Sequence, residues 1–67
     1  MYTTSSAIAT IDYNPDTLIL RITFRDNHVY DYYGVPEITA QQFINAPSKG
    51  KYYTQYIKGR FNQQRIL

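Results

Sequence analysis

The chain of 67 residues contains no cysteine, which excludes disulfides, thiolate zinc sites and thiol nucleophiles and leaves a small fold without a covalent staple. It contains no tryptophan, so eight tyrosines and three phenylalanines supply all the aromatic rings. Three glycines and three prolines are too few for a linker or a low-complexity tract, and nothing repeats internally. No apolar run approaches the roughly 20 residues of a membrane-spanning helix, and Met1 to Thr10 lacks the basic cluster and apolar stretch of a secretory signal. These absences predict a cytoplasmic protein with no membrane attachment and a single domain over residues 1–67. At this length folding hides only about 60% of the surface that the unfolded chain exposes, so the core is small.

Acid is absent from the last 30 residues. Asp12, Asp16, Asp26, Asp31 and Glu37 precede residue 47, accompanied only by Arg21 and Arg25, whereas Lys49, Lys51, Lys58, Arg60 and Arg65 follow it with no acid among them. The formal net charge of +2 conceals this division. The basic stretch is interleaved with Tyr52, Tyr53, Tyr56 and Phe61, and cations beside aromatic rings are the composition that holds phosphates and stacks bases. Most of the tyrosines are expected to edge the core with their hydroxyls in water, leaving the remainder for ligands.

Residues Ala7 to Tyr13 alternate loosely and predict a first strand, ended by the turn-forming Asn14-Pro15-Asp16. Leu18, Leu20, Ile22 and Phe24 then share one face, with Ile19, Arg21 and Thr23 on the other, which predicts a second strand. Arg25 to His28 makes a second turn and Val29 to Tyr33 a third strand. A two-residue loop at Asp26-Asn27 places Val29, Asp31 and Tyr33 on the face of Phe24; one more loop residue places Tyr30 and Tyr32 there instead. The second register is preferred because it keeps Asp31 out of the core. Pro36 suits the first turn of a helix running to about Ala46, with Ala40, Phe43, Ile44 and Pro47 as its apolar stripe. Ser48 can cap a second helix that Gly59 closes, with Tyr52, Tyr53, Tyr56 and Ile57 as a wide stripe. The expected fold is α+β, a three-stranded antiparallel β-meander followed by two short helices, β-β-β-α-α, with one sheet face open.

Ser48-Lys49-Gly50-Lys51 sets two lysines at a helix N-terminus, where each exposed charge opposes the dipole by about 0.3 to 1 kcal/mol. A docked anion reverses that sign, and the Ser48 hydroxyl, the free N–H groups and a glycine permitting close approach form a candidate phosphate cradle. Ordinary serine capping explains the same segment, and the GxxxxGK spacing of a Walker loop is missing. Lys58 and Arg60 extend the basic surface, although Lys58 also complements the end of its own helix. The candidate nucleic-acid or anion-binding residues are thus Ser48, Lys49, Gly50, Lys51, Tyr52, Tyr56, Lys58 and Arg60, with Tyr30 and Tyr32 as candidates for base stacking. His28 lies in a turn with no partner for general-base or metal chemistry, and Asp12 and Asp16 are explained by turn bonding. No catalytic constellation, metal site or cofactor site is expected.

Several stretches resemble the KTSC domain over nearly the whole chain: Ser5-Ser6 followed by Ile8, Ile11 and Tyr13; Val29 to Pro36; Ser48 to Tyr53; and Ile57 to Phe61. That family's central Tyr-x-Tyr falls on Tyr30 and Tyr32, and its Ser-Lys-Gly-Lys-Tyr element on Ser48 to Tyr52. The family occurs at the C-terminus of some lysyl-tRNA synthetases and as stand-alone proteins of bacteria and phages. The resemblance implies a small domain for which RNA binding is the suggested role, and the tail from Asn62 to Leu67 departs from its pattern. The leading expectation is a module that binds RNA or single-stranded nucleic acid. The alternative is a protein–protein interaction or oligomerisation module that docks through the open sheet face, a strand edge or the tyrosine patch. Charge separates the two, since the centre of a protein docking patch is poor in lysine.

Overall fold

The computed structural model describes Met1–Leu67 and is built on an antiparallel sheet whose strands follow chain order. β1 (Ile8–Asn14) pairs with β2 (Ile19–Phe24), and β2 with β3 (Val29–Tyr32). The first hairpin closes when the Leu18 N–H returns to the Asn14 carbonyl at 2.8 Å, while the Asn14 side chain accepts from Asp16 N–H. Leu18 therefore sits in the turn, at φ 58 and 40% exposed, and not in the apolar stripe where alternation places it. The chain needs a left-handed residue there to re-enter the sheet, and this requirement outweighs the side chain's preference for the core.

The second hairpin decides the register. Asn27 N–H bonds to the Phe24 carbonyl and Phe24 N–H to the His28 carbonyl, so the loop is the three residues Arg25, Asp26 and Asn27. Asn27 takes φ 71, a conformation asparagine tolerates better than most residues. Tyr30 then pairs with Ile22 and Tyr32 with Leu20, putting both tyrosines on the inner face. Asp31 faces the other way, as preferred, yet is only 5% exposed. Arg21, its cross-strand partner, covers it with two hydrogen bonds, Nε to Oδ1 at 2.7 Å and Nη2 to Oδ2 at 2.9 Å. These bonds raise the pKa of the guanidinium further. The open face is thus polar, and an open groove of about 360 Å³ is lined there by Asp12, Asn14, Thr17, Arg21 and Asp31, among others.

Gly34 turns the chain off the sheet at φ 72, and Pro36 caps α1 (Glu37–Asn45) at φ −63, where it has no N–H to leave unsatisfied. Ala40 and Phe43 carry the buried face of α1, and Ala46 packs inward where the apolar stripe was expected to reach Pro47, which is exposed. The second helix does not run as one regular element from Ser48 to Gly59. α2 (Lys49–Tyr52) passes into a π-turn over Tyr53–Ile57, closed by the Lys58 N–H bonding five residues back to the Tyr53 carbonyl at 2.8 Å. The wider turn directs Tyr53 and Ile57 together against the core and leaves Tyr56 outside. No helix of the molecule is long and apolar enough to cross a membrane.

The expected order of elements omits a fourth strand. β4 (Gln63–Arg65) pairs with β3, matching Tyr30 with Arg65 and Tyr32 with Gln63. All three of its residues are exposed, so it lacks the alternation that reveals a strand, and backbone bonds such as Ile66 N–H to the Val29 carbonyl at 2.7 Å hold it. The core comprises Ile8, Ile11, Leu20, Ile22, Tyr32, Val35, Ala40, Phe43 and Ile57, between the sheet's inner face and the helices. Several of the tyrosines around it carry their hydroxyls into hydrogen bonds: Tyr13 OH to the Val35 carbonyl at 2.6 Å, Tyr32 OH with Tyr53 OH at 2.7 Å. Burial raises the phenol pKa of Tyr13, aided by Glu37, and that of Tyr32, aided by the bond to Tyr53.

Candidate functional site

The Ser48 to Lys51 segment opens α2 directly after α1. Ser48 caps it as a serine should, its Oγ accepting from Lys51 N–H at 3.4 Å. Lys49 folds back, and its Nζ donates to the Ala46 carbonyl at 2.6 Å, at the C-terminal cap of α1. The ammonium thereby rests at the negative end of one helix while its backbone begins the positive end of the next, which removes half of the charge conflict expected from sequence. Lys51 has no such partner and is exposed. Gly50 has no positive φ, and an added methyl would meet nothing within 4 Å. Neither backbone strain nor packing requires glycine at this position; its bare Cα leaves space at the surface.

That space opens onto a cleft of about 270 Å³ whose second wall the sequence did not suggest. Thr4, Ser5, Ser6 and Ala7 face Pro47, Ser48, Lys49 and Gly50 across it. Ser5 Oγ shapes its own loop by accepting from Ala7 N–H and Ile8 N–H. Arg25 fastens the same loop from the second hairpin, with Nη2 to the Thr3 carbonyl at 2.8 Å and Nε to the Ser5 carbonyl at 3.1 Å. Two of the stretches that carry the family resemblance, some 40 positions apart, thus form opposite sides of one opening. Only their joint membership in that resemblance hinted at the meeting.

The aromatic residues divide sharply. Tyr32 is 1% exposed and closed off by Tyr53 and Tyr30, so its ring cannot stack on a ligand, contrary to its place among the stacking candidates. Tyr30 is half-buried beside Phe24. Tyr52 lies over Phe43 with centroids 5.6 Å apart and planes within 16°, its hydroxyl donating to the Thr39 carbonyl at 3.2 Å and Gln42 Oε1 at 3.3 Å. Burial, then the neighbouring Tyr56, raises its pKa. Tyr56 packs its ring 4.7 Å from that of Tyr52 and is 53% exposed. Lys58 and Arg60 follow the π-turn at the surface, and Arg65 lies apart on β4. Ion pairs join Asp12 to the amino terminus and Asp31 to Arg21; none uses Lys49, Lys51, Lys58, Arg60 or Arg65. His28 reaches only Asp26 of its own turn, at 3.8 Å.

These features define a small α+β module with one polar sheet face and a basic, partly aromatic helical surface. The KTSC domain model matches residues 4–61, and the chain belongs to the KTSC domain family. A crystal structure of a KTSC domain protein from Yersinia pestis superimposes with a TM-score of 0.97 at 42% identity, covering 100% of this chain and 94% of that one. A lysine–tRNA ligase of Nostoc sp. strain PCC 7120 is 36% identical over 61 residues, 91% of this chain. The chain spans 11% of that ligase's length, so the similarity concerns one segment of a much larger enzyme. An uncharacterized protein of Stutzerimonas stutzeri is 32% identical over 54 residues, 81% of this chain and 76% of that protein.

Proposed function

We propose that the chain is a small non-catalytic module of the cytoplasm that binds RNA or single-stranded nucleic acid through the surface from Ser48 to Arg60. The carrying observation is that no Asp or Glu side chain pairs with any of the five bases after Pro47, although five acids were available. Lys51, Lys58 and Arg60 stand exposed, and a polyanion is the partner that such unmatched charge favours. The cleft beside Gly50, with its serines, offers a place where one phosphate can approach the backbone closely. The similarity to a segment of lysine–tRNA ligases agrees with this reading, since by name those enzymes handle a tRNA.

Fluorescence anisotropy with labelled RNA and DNA oligonucleotides, titrated with salt, tests the proposal. Three or four phosphate contacts give a log–log salt slope of about −2 to −3 for single strands. An affinity that ignores salt, or none at low salt, overturns it. A second reading, docking of a protein, is favoured by β4 forming one edge of the sheet, with Ile66 and Leu67 exposed beside it. Capture of a protein that survives substitution of Lys51, Lys58 and Arg60, without nucleic-acid binding, would replace the first reading by the second.

A further inference from the structure

Phe43, Tyr52 and Tyr56 form a column of rings that runs out of the core. Phe43 is fully buried, Tyr52 half-buried and Tyr56 more than half exposed, with centroid spacings of 5.6 and 4.7 Å along the series, Tyr52 stacked on Phe43 and Tyr56 tilted 41° against Tyr52. An exposed tyrosine on a helix ordinarily samples several rotamers. Here the ring beneath Tyr56 is held: Tyr52 is stacked on Phe43 and tied by its hydroxyl to Thr39 and Gln42 of α1. The π-turn contributes as well, because it lets Tyr53 and Ile57 serve the core while Tyr56, between them in sequence, stays at the surface beside Tyr52. An aromatic face supported from below loses less side-chain freedom when it is covered, so more of the stacking energy is retained as affinity. Lys49 lies three residues before Tyr52, neighbours on one helix surface, with its ammonium held at the Ala46 carbonyl.

We propose that the outer face of Tyr56 is a stacking platform for one unpaired base, which makes the module a reader of single strands rather than of duplexes. This rests on the nucleic-acid reading given above and narrows it. A planar ring can cover a base only where that base is unstacked, whereas a duplex buries the base faces along its length and presents phosphates, 2′-hydroxyls and base edges.

The test compares ten-nucleotide labelled single-stranded RNA with the corresponding RNA duplex, at one salt concentration and along a salt series. The variants are Tyr56→Ala, Tyr56→Phe, Tyr56→Leu and Lys51→Glu. The platform predicts that the wild type prefers the single strand and that Tyr56→Ala weakens it about 5- to 100-fold. The salt slope of Tyr56→Ala should be unaltered, and Tyr56→Phe should restore binding to within about twofold because the π-face is kept. Tyr56→Leu covers Tyr52 without offering a flat ring, so it separates the two roles. Binding restored by leucine makes Tyr56 a lid on Tyr52 and overturns the platform. Wild-type binding of duplex and single strand with equal affinity overturns it too. If Tyr56→Ala binds as the wild type while Lys51→Glu weakens binding, the platform fails and the basic surface stands. If the wild type binds no nucleic acid at low salt, both fail together.

Discussion

Tyr32 on β3 and Tyr56 on the π-turn carry the same side chain into opposite circumstances. Tyr32 stands on a strand covered by both helices, with its hydroxyl held by Tyr53; Tyr56 stands on one of those helices, with a ring supported on one side and free on the other. The two regions treat charge with the same contrast. The meander answers its charges internally, Arg21 with Asp31 and Arg25 with backbone carbonyls, while Lys51, Lys58 and Arg60 of the helical region find no partner. A domain this small has little core to spare, so the meander spends its tyrosines on stability and the helical region leaves its surface available for a ligand.

Removing the ring of Tyr32 puts this division to its severest trial. Tyr32→Ala leaves a cavity beside Leu20, Tyr30 and Tyr53 and costs about 3 to 5 kcal/mol, much of the stability of such a domain. Circular dichroism should show a largely unfolded protein. A folded, cooperative variant would mean that the aromatic core is dispensable.

Alkali acts on the same rings. The phenols of Tyr13, Tyr32 and Tyr52 have raised pKa values, chiefly through burial, so the folded state favours their neutral forms. Their contribution is fully present below the unfolded value near 10 and is lost as pH rises through the higher folded values. Phenolate absorbance of the native protein should therefore lag behind that of the denatured chain above about pH 10 and then rise together with loss of the circular dichroism signal. Ionisation of all eight tyrosines without unfolding would contradict the burial.

The smallest effects distinguish two lysines that look equivalent in sequence. Lys49→Glu removes a bond to the end of α1 and sets a negative charge at its C-terminus, so it should lower stability by about 0.5 to 1.5 kcal/mol. Lys51→Glu places acid at a helix start with no bond to lose and should leave the melting temperature unchanged or raised by the equivalent of about 0.3 to 1 kcal/mol. Both should weaken anion binding. Equal melting temperatures for the two would show that the Lys49 contact to Ala46 contributes nothing.

Several elements were plain from the residues. The period of two in Leu20, Ile22 and Phe24 announced β2, and the wish to keep Asp31 out of the helix-covered core selected the correct register of β3. Asp31 leaves that core only to be covered by Arg21 on the other face, a burial that strand alternation does not encode. β4 was invisible because a strand exposed on both faces has no hydrophobic pattern, and its pairing depends on backbone groups that every residue shares. Ser48, Lys49, Gly50 and Lys51 stood out through their charge and spacing, whereas Ser5 and Ser6 stood out only through the family resemblance, because small side chains without charge show no chemistry until what they face is known.

By itself the sequence determined the α+β class, the order of the first three strands and two helices, and the gathering of unmatched base after residue 47, because periodicity, turn chemistry and charge are properties of neighbouring residues. Only the tertiary structure decided which tyrosine is core and which is surface, where Lys49 puts its charge, and that Ser5 and Ser48 share a cleft. Those outcomes depend on contacts between segments distant in the chain, and on one π-turn along which Tyr53 and Ile57 both pack against the core.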